Sequence, residues 1–174
     1  MDEDMIKRPS PRLLGSVAAL VTLALDQANK LWLIFVYGIE ARQPVRITPF
    51  FDVIFAKNTG ISYSLFRAET DMQRFSLLAF IAFATLFLGI WLWRSKTTLV
   101  GLALGLVVGG ALGNAIDRFA YGFVADFYHF HLGGFSWYVF NLADVAIVGG
   151  VGLLLYDSLL ASRDAQGVEQ AAGK

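Results

Sequence analysis

A chain of 174 residues is the length of a single domain, but 56% of it is hydrophobic and only 16% charged, where soluble chains carry about a quarter. Its 14 basic residues balance its 14 acidic ones, so nothing in the charge points to a nucleic-acid partner. Cysteine is absent, which excludes disulfides, thiolate metal sites, a cysteine nucleophile and lipid attachment to a cysteine of the chain itself.

In chain order, Lys7, Arg8 and Arg12 precede an apolar run over 13–25, the arrangement of a secretory leader. No small-x-small cleavage site follows. Asp26-Gln27-Ala28-Asn29-Lys30 interrupts the run and 31–37 resumes it, so one interrupted transmembrane helix over 13–37 is expected rather than a leader. Three more stretches, 75–93, 99–118 and 137–160, reach the roughly 20 residues that cross a bilayer. The expected architecture is a mainly α, polytopic membrane protein, one membrane-embedded unit over 1–174.

Basic residues set the expected orientation. Lys7, Arg8 and Arg12, then Arg94 and Lys96 in the tight turn between spans 2 and 3, then Arg163 after span 4 fall on one side, so both termini are expected in the cytoplasm. Segment 38–74 also holds Arg42, Arg46, Lys57 and Arg67, accompanied by Glu40, Asp52, Glu69 and Asp71. Tyr37, Trp137 and Tyr138 suit the outer interface, and Trp91, Trp93 and Tyr156 the inner one. The outer segments are 38–74 and 119–136. The stretch 44–56 predicts two to four short strands broken at Pro49, Asn58-Thr59-Gly60 a turn, 72–74 an early start to span 2, and the residues after Ser162 a frayed polar tail.

Span 3 carries Gly101, Gly105, Gly109 and Gly113 at four-residue spacing, with Gly110 beside them. Small residues so spaced let helix backbones approach closely in lipid; Gly109 and Gly113, next to polar residues, also leave room for a site. The acidic residues differ in their neighbours. Asp26 lies four residues before Lys30 on one helix face, and a charge in the bilayer should face the bundle. A structural ion pair and a site-shaping role are both open. Asn114, Asp117 and Arg118 close span 3 and read as a buried polar network, with Arg118 among the candidate partners of Asp117. Asp126 sits among Phe123, Phe127, Tyr128 and Phe130 in the second outer segment. Asp144 lies near the outer end of span 4, about 10 Å below Trp137 at 1.5 Å per residue, one turn after Asn141 and with no basic residue of that span close by.

Two close carboxylates in an apolar setting share a proton, so that one takes a proton from water while the other donates to a carbonyl. Asp126 and Asp144 are the candidates for such a couple. His129 and His131 form an H-x-H pair without a third ligand nearby in sequence, a poor metal site; neither metal nor cofactor is expected.

At these residues the chain resembles the lipoprotein signal peptidase (signal peptidase II) family of bacterial inner-membrane aspartic proteases. Five ordered blocks carry the resemblance: Asp26-Gln27 with Lys30, Asn58-Thr59-Gly60, the run from Gly109 to Arg118, Val124-Ala125-Asp126-Phe127, and Phe140-Asn141-Leu142-Ala143-Asp144. The resemblance implies four transmembrane helices with a small β-cradle and a short surface helix at the periplasmic side. It implies a catalytic dyad of Asp126 and Asp144, supported by Asp26, Lys30, Asn58, Gly60, Gly109, Gly113, Asn114, Asp117, Arg118, Val124, Asn141 and Ala143. The implied substrate is a diacylglyceryl-modified prolipoprotein cut before its lipidated cysteine, with membrane lipid as the other partner and no obligate protein partner. The chain departs from the family pattern at Asn29, at Ile61-Ser62-Tyr63-Ser64 and at Val145. Two other classes fit the intramembrane charges or the glycine stripe less well: a small ion-coupled carrier and a non-enzymatic membrane scaffold. Span 2 has almost no polar residues, and the paired broken helices of many carriers are missing.

Overall fold

In the computed structural model the described residues are 9–60 and 70–172. Among these residues, four helices are long and apolar enough to cross a membrane. Lys7, Arg8, Arg67, Glu69 and the segment 61–64 lie outside the described residues.

Helix α1 spans Pro11–Leu31. Ser10 caps it by accepting from the Leu13 N–H at 3.2 Å, and Pro11 occupies the first turn, where its missing N–H costs nothing. A π-helical extension, Trp32–Tyr37, carries it on to Gly38, whose φ of 68° ends the run in a left-handed turn. A single helical turn, α2 (Ile39–Arg42), follows. Then come strands β1 (Val45–Thr48) and β2 (Phe51–Asn58), within the expected two to four.

Helix α3, Asp71–Trp93, starts earlier than 75, as 72–74 foreshadowed, on a reciprocal capping box: Thr70 accepts from the Gln73 N–H at 3.3 Å and Gln73 from the Thr70 N–H at 3.1 Å. Thr97 caps α4, Thr98–Tyr121, which Gly122 ends at φ 82°. Helix α4 is the hub of the bundle, packing on α1, α5 and α3. Its glycines work as the spacing predicts. A β-carbon on Gly105 would strike the Gly15 carbonyl, and one on Gly101 the Pro11 carbonyl. By contrast, α3 turns Phe80, Phe83 and Phe87 outward and α5 turns out Val148, Leu155 and Leu159, surfaces suited to lipid.

The second outer segment, expected only to be aromatic, is a strand. β3, Val124–Leu132, pairs antiparallel with β2, and β4 (Phe135–Ser136) pairs with β3, giving the sheet order β1-β2-β3-β4. Ala125 and Phe127 of β3 pack on Leu33 and Ile39, which fastens the sheet to the end of α1. Helix α5 runs Leu142–Ala172. It therefore begins later than 137, because Phe140 is still tied to the sheet: its carbonyl accepts from the Phe127 and Tyr128 N–H groups at 3.0 and 2.9 Å. It also continues through the region expected to fray.

Candidate active site

The polar residues predicted from sequence converge at one end of the bundle, where α1, α4, β3 and the start of α5 meet. Lys30 is 2% exposed and its ammonium uses three donors. It pairs with Asp26 Oδ2 and Asp117 Oδ2, each at 2.8 Å, and donates to Asn114 Oδ1 at 3.1 Å. The two carboxylates also bind the scaffold. Asp26 Oδ1 accepts from the Ala143 N–H at 3.0 Å, tying α1 to α5. Asp117 Oδ2, besides its pairing with Lys30, accepts from the Ala125 N–H at 3.1 Å, tying α4 to β3. Gly113 makes this possible, because a β-carbon there would run into the Asp26 carboxylate.

Asn114 and Asn141 link this ionic layer to the other two carboxylates. Asn114 Oδ1 accepts from Lys30 and from Asn141 Nδ2 at 3.0 Å, while its Nδ2 donates to Asp144 Oδ1 at 2.9 Å. Asn141 Nδ2 donates to Asp126 Oδ1 at 2.6 Å. Its backbone N–H donates to Asp144 Oδ2 at 3.2 Å, and its Oδ1 accepts from the Asp144 N–H at 3.0 Å. Asn141 and Asp144 thus form the reciprocal cap of α5. Asp144 lies in the first turn of that helix.

Asp126 projects from β3 rather than from a loop and is 2% exposed. Asn58, the last residue of β2, donates to its Oδ2 at 3.0 Å. Burial chiefly, and the neighbouring Asp144 carboxylate next, push the Asp126 carboxyl from 3.8 up to about 7, against the Asn58 and Asn141 hydrogen bonds and the positive charge of Lys30. Among the described residues neither Asp126 nor Asp144 has an ion-pair partner.

Arg118 corrects one sequence expectation. The partner of Asp117 is Lys30, and Arg118 instead donates to the Gly60 carbonyl at 2.9 Å and the Asn114 carbonyl at 3.2 Å. Gly60 is further held by its N–H to Asn58 Oδ1 at 3.1 Å, so the Asn58–Gly60 turn is pinned beside Asp126. Val124 is buried and pairs with Asn58 across the sheet. Gly109 lies farther from the carboxylates, against Ala19 and Thr22 of α1.

Three participants were not among the site residues expected from the sequence. Gln27 Nε2 reaches Asp117 Oδ1 at 3.0 Å and both Asp26 Oδ2 and the Gly113 carbonyl at 3.2 Å. Its place inside the polar interruption of an apolar run was the available signal. Asn29 Oδ1 accepts from the Tyr128 hydroxyl at 3.0 Å, which gives that departure from the family pattern a partner. Arg74 donates to the Arg118 and Phe119 carbonyls, each at 2.9 Å, closing the end of α4.

These elements define a polytopic membrane protein with a buried carboxylate-rich cluster at one end of its bundle. Residues 18–160 match the family described as signal peptidase (SPase) II. The chain is 68% identical over 156 residues to the lipoprotein signal peptidase of Methylocella silvestris, covering 90% of this chain and 91% of that one. It is 66% identical over 149 residues to that of Beijerinckia indica, covering 86% and 89%. A solved structure described as a bacterial membrane enzyme, obtained by the in meso method, shares the fold with a TM-score of 0.71 at 24% identity, over 86% of this chain and 90% of that one. The chain belongs to the signal peptidase II family and is a membrane protease. The carrier and scaffold readings give way to this one.

Proposed function

We propose that the protein removes signal peptides from diacylglyceryl-modified prolipoproteins by cutting before the lipidated cysteine, with Asp126 and Asp144 as the catalytic dyad. The observation that carries the reading is Asn141, which donates to Asp126 from its side chain and to Asp144 from its backbone, aligning a buried and a half-buried carboxylate that have no ion-pair partner among the described residues. At neutral pH the pair holds one proton. Asp126, whose carboxyl is raised to about 7, carries it and donates to the scissile carbonyl oxygen. Asp144, in the first turn of α5 where the helix end favours an anion, takes the proton from the attacking water. The tetrahedral intermediate then collapses as a carboxyl returns a proton to the leaving amine. Two carboxylates suffice for this step, so the reading calls for neither metal nor cofactor.

Beside Asp144 an apolar groove of about 430 Å³ is lined by Phe130, Trp137, Tyr138, Phe140 and Val148. It suits the acyl chains or apolar residues of a lipid-anchored substrate. Asp26, Lys30, Asn58, Gly60, Asn114, Asp117, Arg118, Asn141 and Ala143 support the dyad through the bonds described, and Gly109, Gly113 and Val124 through packing. The chain acts as one membrane-embedded unit in the inner membrane of a bacterium, with both termini in the cytoplasm and the dyad near the periplasmic face. Arg12, Arg94 and Lys96 lie at the bundle end opposite the dyad, which agrees with that orientation. No obligate protein partner is called for.

The test is purified protein in detergent with a synthetic peptide bearing a diacylglyceryl cysteine. Cleavage on the N-terminal side of that cysteine, together with no cleavage of the unlipidated peptide, is the expected result. Cutting elsewhere or equal cutting of both peptides rejects the substrate assignment.

A further inference from the structure

The strand that carries Asp126 presents a second group of side chains on its other face. β3 runs without a bulge of its own, since the register shift falls between Val53 and Ala56 of β2. Successive side chains therefore alternate, and His129 and His131 face away from the side that carries Asp126. Asp52 of β2 is the direct cross-strand partner of His129, so its carboxylate joins the two rings. One ligand atom from each of Asp52, His129 and His131 lies within 4.8 Å of the other two. The third ligand missing from the H-x-H motif thus comes from the other outer segment, 77 positions earlier in the chain (129 − 52).

We propose that Asp52, His129 and His131 bind a divalent cation of the zinc class, which fastens β2 to β3 across the back of the sheet. Two imidazoles and a carboxylate are the donor set of borderline cations such as zinc, with a fourth position left for water. Ligand atoms around a tetrahedral zinc sit about 3.3 Å apart, given Zn–N lengths of about 2.0–2.1 Å, so small side-chain rotations close the triad. The second shell is in place: Ser136 Oγ lies 2.8 Å from His129 Nε2 and fixes that ring.

The carboxylate itself points to a ligand. Asp52 is 7% exposed, and its Oδ1 is buried without a hydrogen bond among the described residues, a costly arrangement for a carboxylate oxygen. His131 Nε2 engages only Oδ2, at 3.0 Å. Arg46 Nε stands 3.6 Å from Oδ1, but its side chain is 73% exposed, and such a pair contributes little. A cation between the two histidines and Asp52 would satisfy that oxygen and leave Arg46 as an outer partner.

The test uses the full-length chain with its purification tag removed, in detergent and stripped by a chelator. Titration with Co²⁺ is expected to give a saturable visible band at one equivalent, displaced by one equivalent of Zn²⁺, and Zn²⁺ is expected to raise the thermal midpoint. Asp52→Asn and His131→Gln should each weaken Co²⁺ binding by at least about tenfold, whereas Asp126→Asn, on the opposite face of β3, should bind as the parent does. A parent without a saturable band, or a His129→Gln/His131→Gln variant that binds unchanged, overturns the site. Should that variant not fold, zinc-edge X-ray absorption of the parent decides: a shell containing imidazole nitrogen supports the proposal and one without it rejects it. A cleavage assay that failed while Co²⁺ bound as described would count against the dyad and leave the cation site standing.

Discussion

Asp26, Asp117 and Asp126, all buried, and the half-buried Asp144 lie at one end of this bundle, and they divide into two pairs with opposite surroundings. Asp26 and Asp117 share one ammonium, each 2.8 Å from Lys30, and their other contacts are with scaffold amides and Gln27. Asp126 and Asp144 instead accept hydrogen bonds from amide donors of Asn58, Asn114 and Asn141, and neither has an ion-pair partner among the described residues. The first pair shares a cation and ties helices and sheet together. In the second, Asp126 holds its proton more tightly than a free carboxyl does, which is what acid–base chemistry needs. Residue type is the same in both, so the neighbours separate a structural tie from the proposed reagent.

The same isosteric substitution should therefore do different things to the two pairs. With Asp126 and Asp144 as the proposed dyad, Asp126→Asn and Asp144→Asn each remove a proton-transfer group, and cleavage of the lipidated peptide should fall by about 10²–10⁴-fold or more, with the thermal midpoint in detergent kept or raised. Asp26→Asn and Asp117→Asn should show the reverse emphasis, a lowered midpoint with residual cleavage. Should Asp126→Asn or Asp144→Asn cleave at the parent's rate, the division between the pairs collapses.

Next in size is Lys30→Met. It leaves two carboxylates buried without their cation, and breaking a buried pair in this way costs about 3–5 kcal/mol. Thermal or denaturant unfolding in micelles reads it directly. A Lys30→Met/Asp26→Asn/Asp117→Asn variant, which removes the stranded charges along with the lysine, should recover a large part of that loss. If the triple variant is no more stable than Lys30→Met, the three groups are not one ionic unit.

Much of this division was legible in the sequence, and where it was not the reasons are physical. Asp26 and Lys30 lie on one helix face, so their pairing followed from spacing. The partner of Asp117 did not. Arg118 is adjacent in sequence, but neighbours on a helix point in different directions, and Lys30 arrives from another helix. The four spans were visible as apolar runs, yet the fourth starts at Leu142, because the aromatic stretch before it joins the sheet through Phe140. β3 was hidden for a related reason. Its inner half, Val124 to Phe127, is buried on both faces, so it lacks the apolar–polar alternation that marks a half-exposed strand. Cross-strand partners such as Asp52 and His129 follow from register, which sequence spacing does not reveal.

The pairs also differ in how pH should act on them. Asp126 titrates at 3.8 when unperturbed and at about 7 in the fold. Between those values the folded state binds more protons than the unfolded one, so stability falls as pH rises through that window. The loss attributable to Asp126 should amount to a few kcal/mol between pH 4 and 8, at about 1.4 kcal/mol for each pH unit of displacement. Asp126→Asn should flatten that part of the profile. An unchanged slope in Asp126→Asn would mean that another group holds the proton.

The smallest expected effect tests the amide donors themselves. Asn58 Nδ2 donates to Asp126 Oδ2 at 3.0 Å, and this bond favours the ionised carboxyl. Removing it in Asn58→Ala should move the Asp126 titration upward from about 7, by up to roughly one unit, the equivalent of one hydrogen bond of about 1.4 kcal/mol. With Asp126 as the acid, the alkaline limb of the pH–rate profile should shift upward by the same amount, while the acidic limb stays in place. Asn58 also accepts from the Gly60 N–H at 3.1 Å, so the alanine variant loosens the turn. Asn58→Asp separates the two effects: it keeps an acceptor for Gly60 but places a carboxylate against Asp126, and should raise the alkaline limb further than alanine does. If both variants lower the rate equally at every pH, Asn58 holds the turn and does not tune the acid.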